Sequence, residues 1–420
     1  MTAEVVIMNK LGMSLAADSA ITSGRDGVQK VYNSANKLFS LSSNHPVGIM
    51  VYGAASFMEV PWDVIIKSYR DYLKDRKFDE LNYYVDDFLD FLRQDERFKN
   101  KEVEEIIVYR TFSDILKRIV REVEDDIKTE KDNGSDVTDE TVTSWLTECV
   151  SRHISTYREK EDMYLHLEYE EFKERFTDVI QEIKNDLISF ELPQYLEENL
   201  FELAFEATRK DYFSIGSTGI VFTGFGEREI FPHLLNYRLE GFVSGQLKFK
   251  KIKEKKISYT NDKDDGTAEV TAFAQREMVD SFISGIEPNM EDAIFGIIDK
   301  VLTGYDEQIQ KHLGIEFTDD QVKAMKNMGN DIYTSIEDAV EEYQQKNYIE
   351  PLLGIVRSLP KEDLAEMAEA LINLTSFKRR VTRATESVGP PIDVAVITKG
   401  DGFVWIKRKN YVDPVINARF

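Results

Sequence analysis

The sequence predicts an α/β chain of the α+β kind: strands, a block of four to six helices, strands, helices and strands again. Three observations carry this. Residues 2–53 hold two short hairpins, residues 57–210 carry apolar residues at helical spacing among many charges, and residues 392–407 close with a further hairpin. With helices gathered between strand groups, the layer rule points to two sheets packed face to face with helices outside.

The first hairpin runs through Glu4, Val5, Val6, Ile7 and Met8, turns over residues 9–12 with Gly12 inside the turn, and returns to Ala16, Ala17 and Asp18. Folding back near Lys10 pairs positions whose numbers sum to about 20 or 21, which sets Thr2 opposite Asp18 or Ser19. A slip of one residue would turn Asp18 to the other face. The second hairpin runs Lys37, Leu38, Phe39, turns over residues 42–46, and returns through Val47–Tyr52 to Gly53. A pairing sum of about 88 or 89 puts Lys37 beside Val51 or Tyr52, one step from Gly53. If both hairpins lie in one sheet, an amine, a carboxylate and a small-residue turn meet Thr2.

That combination has a chemical meaning once Met1 is lost. The aminopeptidase that trims initiator methionine favours a small second residue, and Thr2 then carries a hydroxyl nucleophile and a general base, its own α-amine, on one residue. Such an amine has an unperturbed pKa of about 7.7 to 8.0, so it can take and return a proton near neutrality. A cationic Lys37 lowers the pKa of the hydroxyl and amine, Asp18 holds Lys37, and the Gly53 N–H can donate to an oxyanion. Lys30 competes for the lysine role; Lys37 is favoured because it abuts a strand.

These residues resemble the proteasome β-subunit-like, HslV-like family of N-terminal nucleophile (Ntn) hydrolases. There a mature N-terminal Thr opens the first strand, an Asp follows in an Ala-Ala-Asp segment, a Lys precedes a Leu-Phe type strand, and a small-residue turn supplies the oxyanion donor. Here these positions are Thr2, Asp18, Lys37 and Gly53, with a longer interval between Asp18 and Lys37 than in the family. Residues 224–241 and the hairpin at 392–407 are similar to later family segments.

The resemblance implies a four-layer αββα sandwich of the Ntn-hydrolase type. Its discontinuous core would be 2–56 and 211–410, with an enlarged helical region at 57–210 and a tail at 411–420. It implies a threonine-type peptidase or amide hydrolase working through an acyl-enzyme. Polypeptide substrates, a homo-oligomer and an ATP-dependent unfoldase partner come with it. Within residues 385–391, Glu386 and Ser387 would support the Thr2 amine, or Thr385 would take the acid's place. A third supporting serine, expected near residues 272–275, has no counterpart. The contrasting reading is a catalytically silent scaffold that binds partners through its helical insertion.

Composition narrows the rest. At 420 residues the chain is long enough for two or three domains, and a net charge of -24 argues against nucleic acid and anionic membrane surfaces. Cys149 stands alone, in a helix expected over 141–153, as a packing residue, and no disulfide framework is possible. The five histidines, His45, His153, His166, His233 and His312, lack metal-ligand spacing, so no metal is expected. Gly224-Phe225-Gly226 lacks the Lys-Ser/Thr of a phosphate loop, so no nucleotide cofactor is expected. No secretory leader and no apolar run of ~18 residues is present, from which a cytoplasmic protein is expected.

Strands are expected at 212–216, 218–226, 245–251 and 256–259, the basic run 248–256 reading as an exposed edge strand. Helices are expected over 269–302 and 320–374, the second interrupted near Pro351 and Pro360.

Overall fold

The computed structural model of the chain describes residues 2–23, 30–42, 44–98, 100–163, 166–259, 266–382 and 388–409. In chain order, β1 (Ala3–Asn9) and β2 (Gly12–Ala17) form the first hairpin, β3 (Ile21–Ser23) pairs with β4 (Lys30–Tyr32), and β5 (Leu38–Ser42) and β6 (His45–Gly53) follow. The short strands β7 (Ser56–Phe57) and β8 (Val60–Pro61) lead into α1 (Trp62–Leu73), α2 (Leu81–Gln94), α3 (Lys101–Asp132), α4 (Asp139–Arg158), α5 (Tyr169–Leu187) and α6 (Gln194–Arg209). Then come β9 (Thr218–Gly224), β10 (His233–Val243), β11 (Gln246–Lys256) and β12 (Ala268–Ala274). Helices α7 (Glu277–Ser284), α8 (Pro288–Leu313), α9 (Asp319–Gln344), α10 (Glu350–Val356) and α11 (Lys361–Val381) precede the last hairpin, β13 (Asp393–Thr398) and β14 (Gly402–Lys407).

The fold is mixed α/β, with five-stranded sheets ordered β12-β1-β2-β13-β14 and β11-β10-β9-β6-β5. The two N-terminal hairpins therefore lie in different sheets, against the expectation that one sheet holds both. The reason is edge occupancy: β12 takes the free edge of β1 and β13 that of β2, so neither edge of the first hairpin is left for β5. By compactness the chain divides into one unit of Met1–Gly48, Glu229–His233 and Lys255–Phe420, and a second of Ile49–Arg228 and Leu234–Glu254.

In the first unit Glu4 pairs with Ala17 and Val5 with Ala16, a pairing sum of 21. Alternation along the strands sends Ala3, Val5, Ile7, Ala16, Val270, Val394 and Val396 to one face. There they pack on Val279, Val356, Leu364, Ala368, Leu371 and Ile372 from α7, α10 and α11. Each fully buried Val, Leu or Ile stabilises by about 1.5–3 kcal/mol. The opposite face, with Glu4, Val6, Met8, Met13 and Leu15, is buried as well. Part of its cover is the turn end of the β5–β6 hairpin. A Cβ on Gly48 would lie 3.0 Å from Ile397 Cδ1, 3.1 Å from the Phe403 ring and 3.3 Å from Leu15 Cδ2.

In the second unit α1 and α2 bury Trp62, Ile65, Tyr69 and Phe88, and the Phe88 ring sits 5.3 Å from that of Phe222 on β9. Helices α3 to α6 pack on one another. Among the described residues, no helix is long and apolar enough to cross a membrane.

Three segments differ from their sequence reading. Residues 212–216 form no strand, because the backbone N–H and hydroxyl of Ser214 both donate to the Glu240 carboxylate and Ser217 N–H donates to Ser214 O, closing a tight turn. Residues 269–274 belong to β12 rather than to a helix, since the β1 edge captures their apolar alternation and the helix begins only at Glu277. Residues 246–256 are one continuous strand at a sheet edge, but its Lys248 is 1% exposed, donating to Thr208 O at 2.8 Å and Tyr212 O at 2.6 Å.

Gly48→Val is expected to destabilise the chain by about 1–3 kcal/mol through overpacking against Ile397 and Phe403. Urea unfolding measures this, and an unchanged midpoint would contradict the close approach.

Candidate active site

The end of β2 puts Asp18 beside the start of β1. Asp18 N–H donates to Ala3 O at 3.1 Å, and Ala3 N–H donates to Asp18 Oδ1 at 2.9 Å. Lys37, on the approach to β5, donates from Nζ to that same oxygen at 2.7 Å. The ammonium and the amide that follows Thr2 thus share one acceptor. Asp18 Oδ2 receives Ala20 N–H at 3.0 Å and Gly389 N–H at 3.3 Å. Four donors therefore converge on one carboxylate, which suits a charged acceptor held out of water. Thr2, Asp18 and Lys37 are all buried, and Thr2 O accepts from Gln275 N–H at 3.0 Å.

Burial pulls the Lys37 ammonium below its ordinary pKa, while the charge and hydrogen bond of Asp18 act in the opposite sense. An ammonium held there can stabilise negative charge developing on a neighbouring oxygen, and it gives up its proton more readily than a solvated lysine does.

Of the residues singled out in the sequence, Thr2, Asp18 and Lys37 come together, and Lys30 does not: it lies exposed on β4. Gly53 belongs to the second unit, where it adopts φ +86° and the space of its missing Cβ is closed by Ser217 O at 2.7 Å. Ala54 N–H donates to that carbonyl at 3.3 Å, and Arg238 Nε holds the Ser217 hydroxyl at 2.9 Å. The Gly53 turn therefore rests on the loop fastened by Ser214 and Glu240. Thr385, Glu386 and Ser387 lie outside the described residues. The segment just after them is tied to the site, through Gly389 N–H on Asp18, Ser19 N–H on Gly389 O at 3.3 Å and the Ser19 hydroxyl on Pro391 O at 2.6 Å.

Two acidic positions went unread in the sequence. Glu4 is 1% exposed, neither of its carboxylate oxygens has a hydrogen-bond partner, and burial pushes its pKa up to about 8, with Lys37 pulling it down and Asp18 pushing it further up. The signal was available: Glu4 shares strand parity with Thr2, Val6 and Met8. Asp393 stands in the same cross-strand row, opposite Ala17, and its buried carboxylate accepts Lys409 N–H at 2.8 Å and pairs with the Lys409 ammonium. Among the described residues, no His, Cys, Asp and Glu cluster forms a metal-binding group.

No family model matches the chain, and no curated protein does. Among solved structures it is similar to a Gly-1 mutant of Anbu from Hyphomicrobium sp. strain MC1, at 9% identity over 100% of this chain and 91% of that one, with a TM-score of 0.29. It is also similar to Anbu from the same strain, at 8% identity over 99% and 93%, with a TM-score of 0.30. Likenesses this slight bear on neither fold nor activity.

Glu4 yields a pH dependence. Its pKa in the folded chain lies above the ordinary 4.5, so between about 4.5 and about 8 the folded state holds a proton that the unfolded state releases. The stability it contributes is full below that window and is lost as pH rises through it. Glu4→Gln is expected to lose less stability than the parent across the window; denaturant unfolding at both ends measures it, and parallel losses would contradict it. Gly53→Ala is expected to cost about 1–3 kcal/mol, since an L side chain is strained at that φ and meets Ser217 O; a melting temperature equal to the parent's would contradict that.

Proposed function

We propose that the chain is an N-terminal threonine amide hydrolase, with Thr2 as nucleophile after Met1 is removed. The observation that supports it most is the buried Asp18 carboxylate, whose Oδ1 receives both the Lys37 ammonium and the amide next to Thr2. An ammonium fixed on the carboxylate that also holds the amide after Thr2 has a direct use in acyl transfer, and a solvated strand-edge lysine has none.

In the proposed reaction the Thr2 hydroxyl oxygen attacks the carbonyl carbon of an amide, and its proton passes to the free α-amine of Thr2. Lys37 stabilises the alkoxide character that develops on the attacking oxygen. The α-ammonium returns the proton to the leaving amine as the C–N bond breaks, which leaves an ester on Thr2. Water, deprotonated by the same amine, then attacks the ester and releases the acid and the Thr2 hydroxyl. Asp18 is a positioning residue for Lys37. Glu386 and Ser387 are proposed to hold the Thr2 amine, a role that suits the way Gly389 and Pro391 are fastened to Asp18 and Ser19.

The same reading carries the four-layer αββα sandwich, a polypeptide substrate, a homo-oligomer, a cytoplasmic location and delivery by an ATP-driven unfoldase. The helix layer on one face of the first sheet and the hairpin turn on the other, both within the first unit, support the sandwich.

Thr2→Ala is expected to abolish hydrolysis of an unfolded polypeptide while the chain stays folded. Lys37→Ala is expected to lower turnover by about 10²-fold or more, with Lys30→Ala near the parent rate. Steady-state assays on the Met1-free protein decide it. Parent-like activity in Thr2→Ala, or a larger loss from Lys30→Ala than from Lys37→Ala, would overturn these assignments, and an inert parent chain would favour the scaffold reading.

A further inference from the structure

Helices α8 and α9 carry more apolar surface than they use to hold each other. They meet through Phe295 and Tyr333, whose rings lie 5.8 Å apart, through the Tyr305 hydroxyl on Met325 O at 2.6 Å, and at Gly329, where a Cβ would stand 3.0 Å from Leu302 O. Another side of α9 is left open. Met328 is 50% exposed, Ile332 40% and Tyr343 62%, and with Ile336 they line a shallow groove of about 620 Å³ along the helix. These positions fall on one side of the 3.6-residue period. Asp331, Asp338 and Glu342 form an exposed acidic row along one flank of the groove, with no ion pair among the described residues.

The last turns of α11 present the complement. Leu374 is 41% exposed, Phe377 61% and Val381 63%, and the three fall on one helix side. Lys378 and Arg380 flank that row without an ion pair among the described residues, while Arg379 turns away to Glu277 at 3.2 Å. Basic residues in a last helical turn offset the helix dipole, but that role calls for no exposed apolar row between them.

Both surfaces are open on the same molecule, so neither covers the other within one chain. We propose that the groove of α9 seats the C-terminal turns of α11 from a second copy of this chain. Leu374, Phe377 and Val381 enter beside Met328, Ile332 and Tyr343, and Lys378 and Arg380 meet the acidic flank. Charge complementarity selects this occupant. The chain carries a net charge of -24, so its copies repel overall, and the basic end of α11 is what can approach the acidic row of α9. The contact is heterologous, because each copy offers a groove and inserts a helix end, and it builds either a closed ring or an open helical array. It does not rest on the hydrolase reading.

Sedimentation velocity of the full chain tests it, with circular dichroism as the check on folding. The parent is expected to associate at micromolar concentration. Asp331→Lys with Asp338→Lys, and separately Lys378→Glu with Arg380→Glu, are each expected to weaken association at least about tenfold, since like charges then face each other. Combining all four substitutions is expected to restore it. A monomeric parent, a double reversal that associates like the parent, or a quadruple variant that stays dissociated would overturn the proposal. The first of these would leave the groove to a basic helix of another protein.

Discussion

The site depends on one buried ion pair. Taking Lys37 and Asp18 out of water costs several kcal/mol per charge, and their mutual attraction offsets this only if the remaining lone pairs are satisfied. Three backbone N–H groups, from Ala3, Ala20 and Gly389, do so. Those three amides come from the first strand, from the turn after the second and from the lead into β13, so the carboxylate has all its donors only when the chain start and residues near the chain end are both in place.

The two carboxylates on either side of this pair show how environment separates like groups. Asp18 accepts four donors and Glu4 none, although both are almost wholly buried. Burial raises the Glu4 pKa, with Lys37 pulling it down and Asp18 pushing it further up, and the proton it retains keeps a second negative charge away from Asp18 near neutrality. In the second unit a comparable network serves a backbone: Glu240 holds Ser214, which shapes the loop whose Ser217 carbonyl fills the space beside Gly53. Burial raises the Glu240 pKa too, with Lys248 and the Ser214 bonds acting against it.

What was legible in the sequence was local. The pairing sum of the first hairpin follows from a tight turn at Gly12, and the proximity of Thr2 to Asp18 follows from that sum. Lys37 was legible as a residue abutting a strand, though it reaches Asp18 from a hairpin of the other sheet and not from a neighbouring strand. What was not legible depended on partners far along the chain. Residues 269–274 are a strand because β1 offers them an edge more than 250 residues earlier. Residues 212–216 are a turn because Glu240 captures Ser214, and Lys248 is buried because two carbonyls await it. Alternation and propensity carry no record of such partners.

The central claim is that removal of one methionine leaves Thr2 as a reactive nucleophile beside Lys37. Intact mass spectrometry of the purified chain, before and after treatment with a threonine-directed electrophile, tests it most directly. The expected result is a parent mass lacking Met1 that shifts by one adduct, with fragmentation placing the adduct on Thr2. A chain that keeps Met1, or a Met1-free chain that takes no adduct at Thr2, would contradict it.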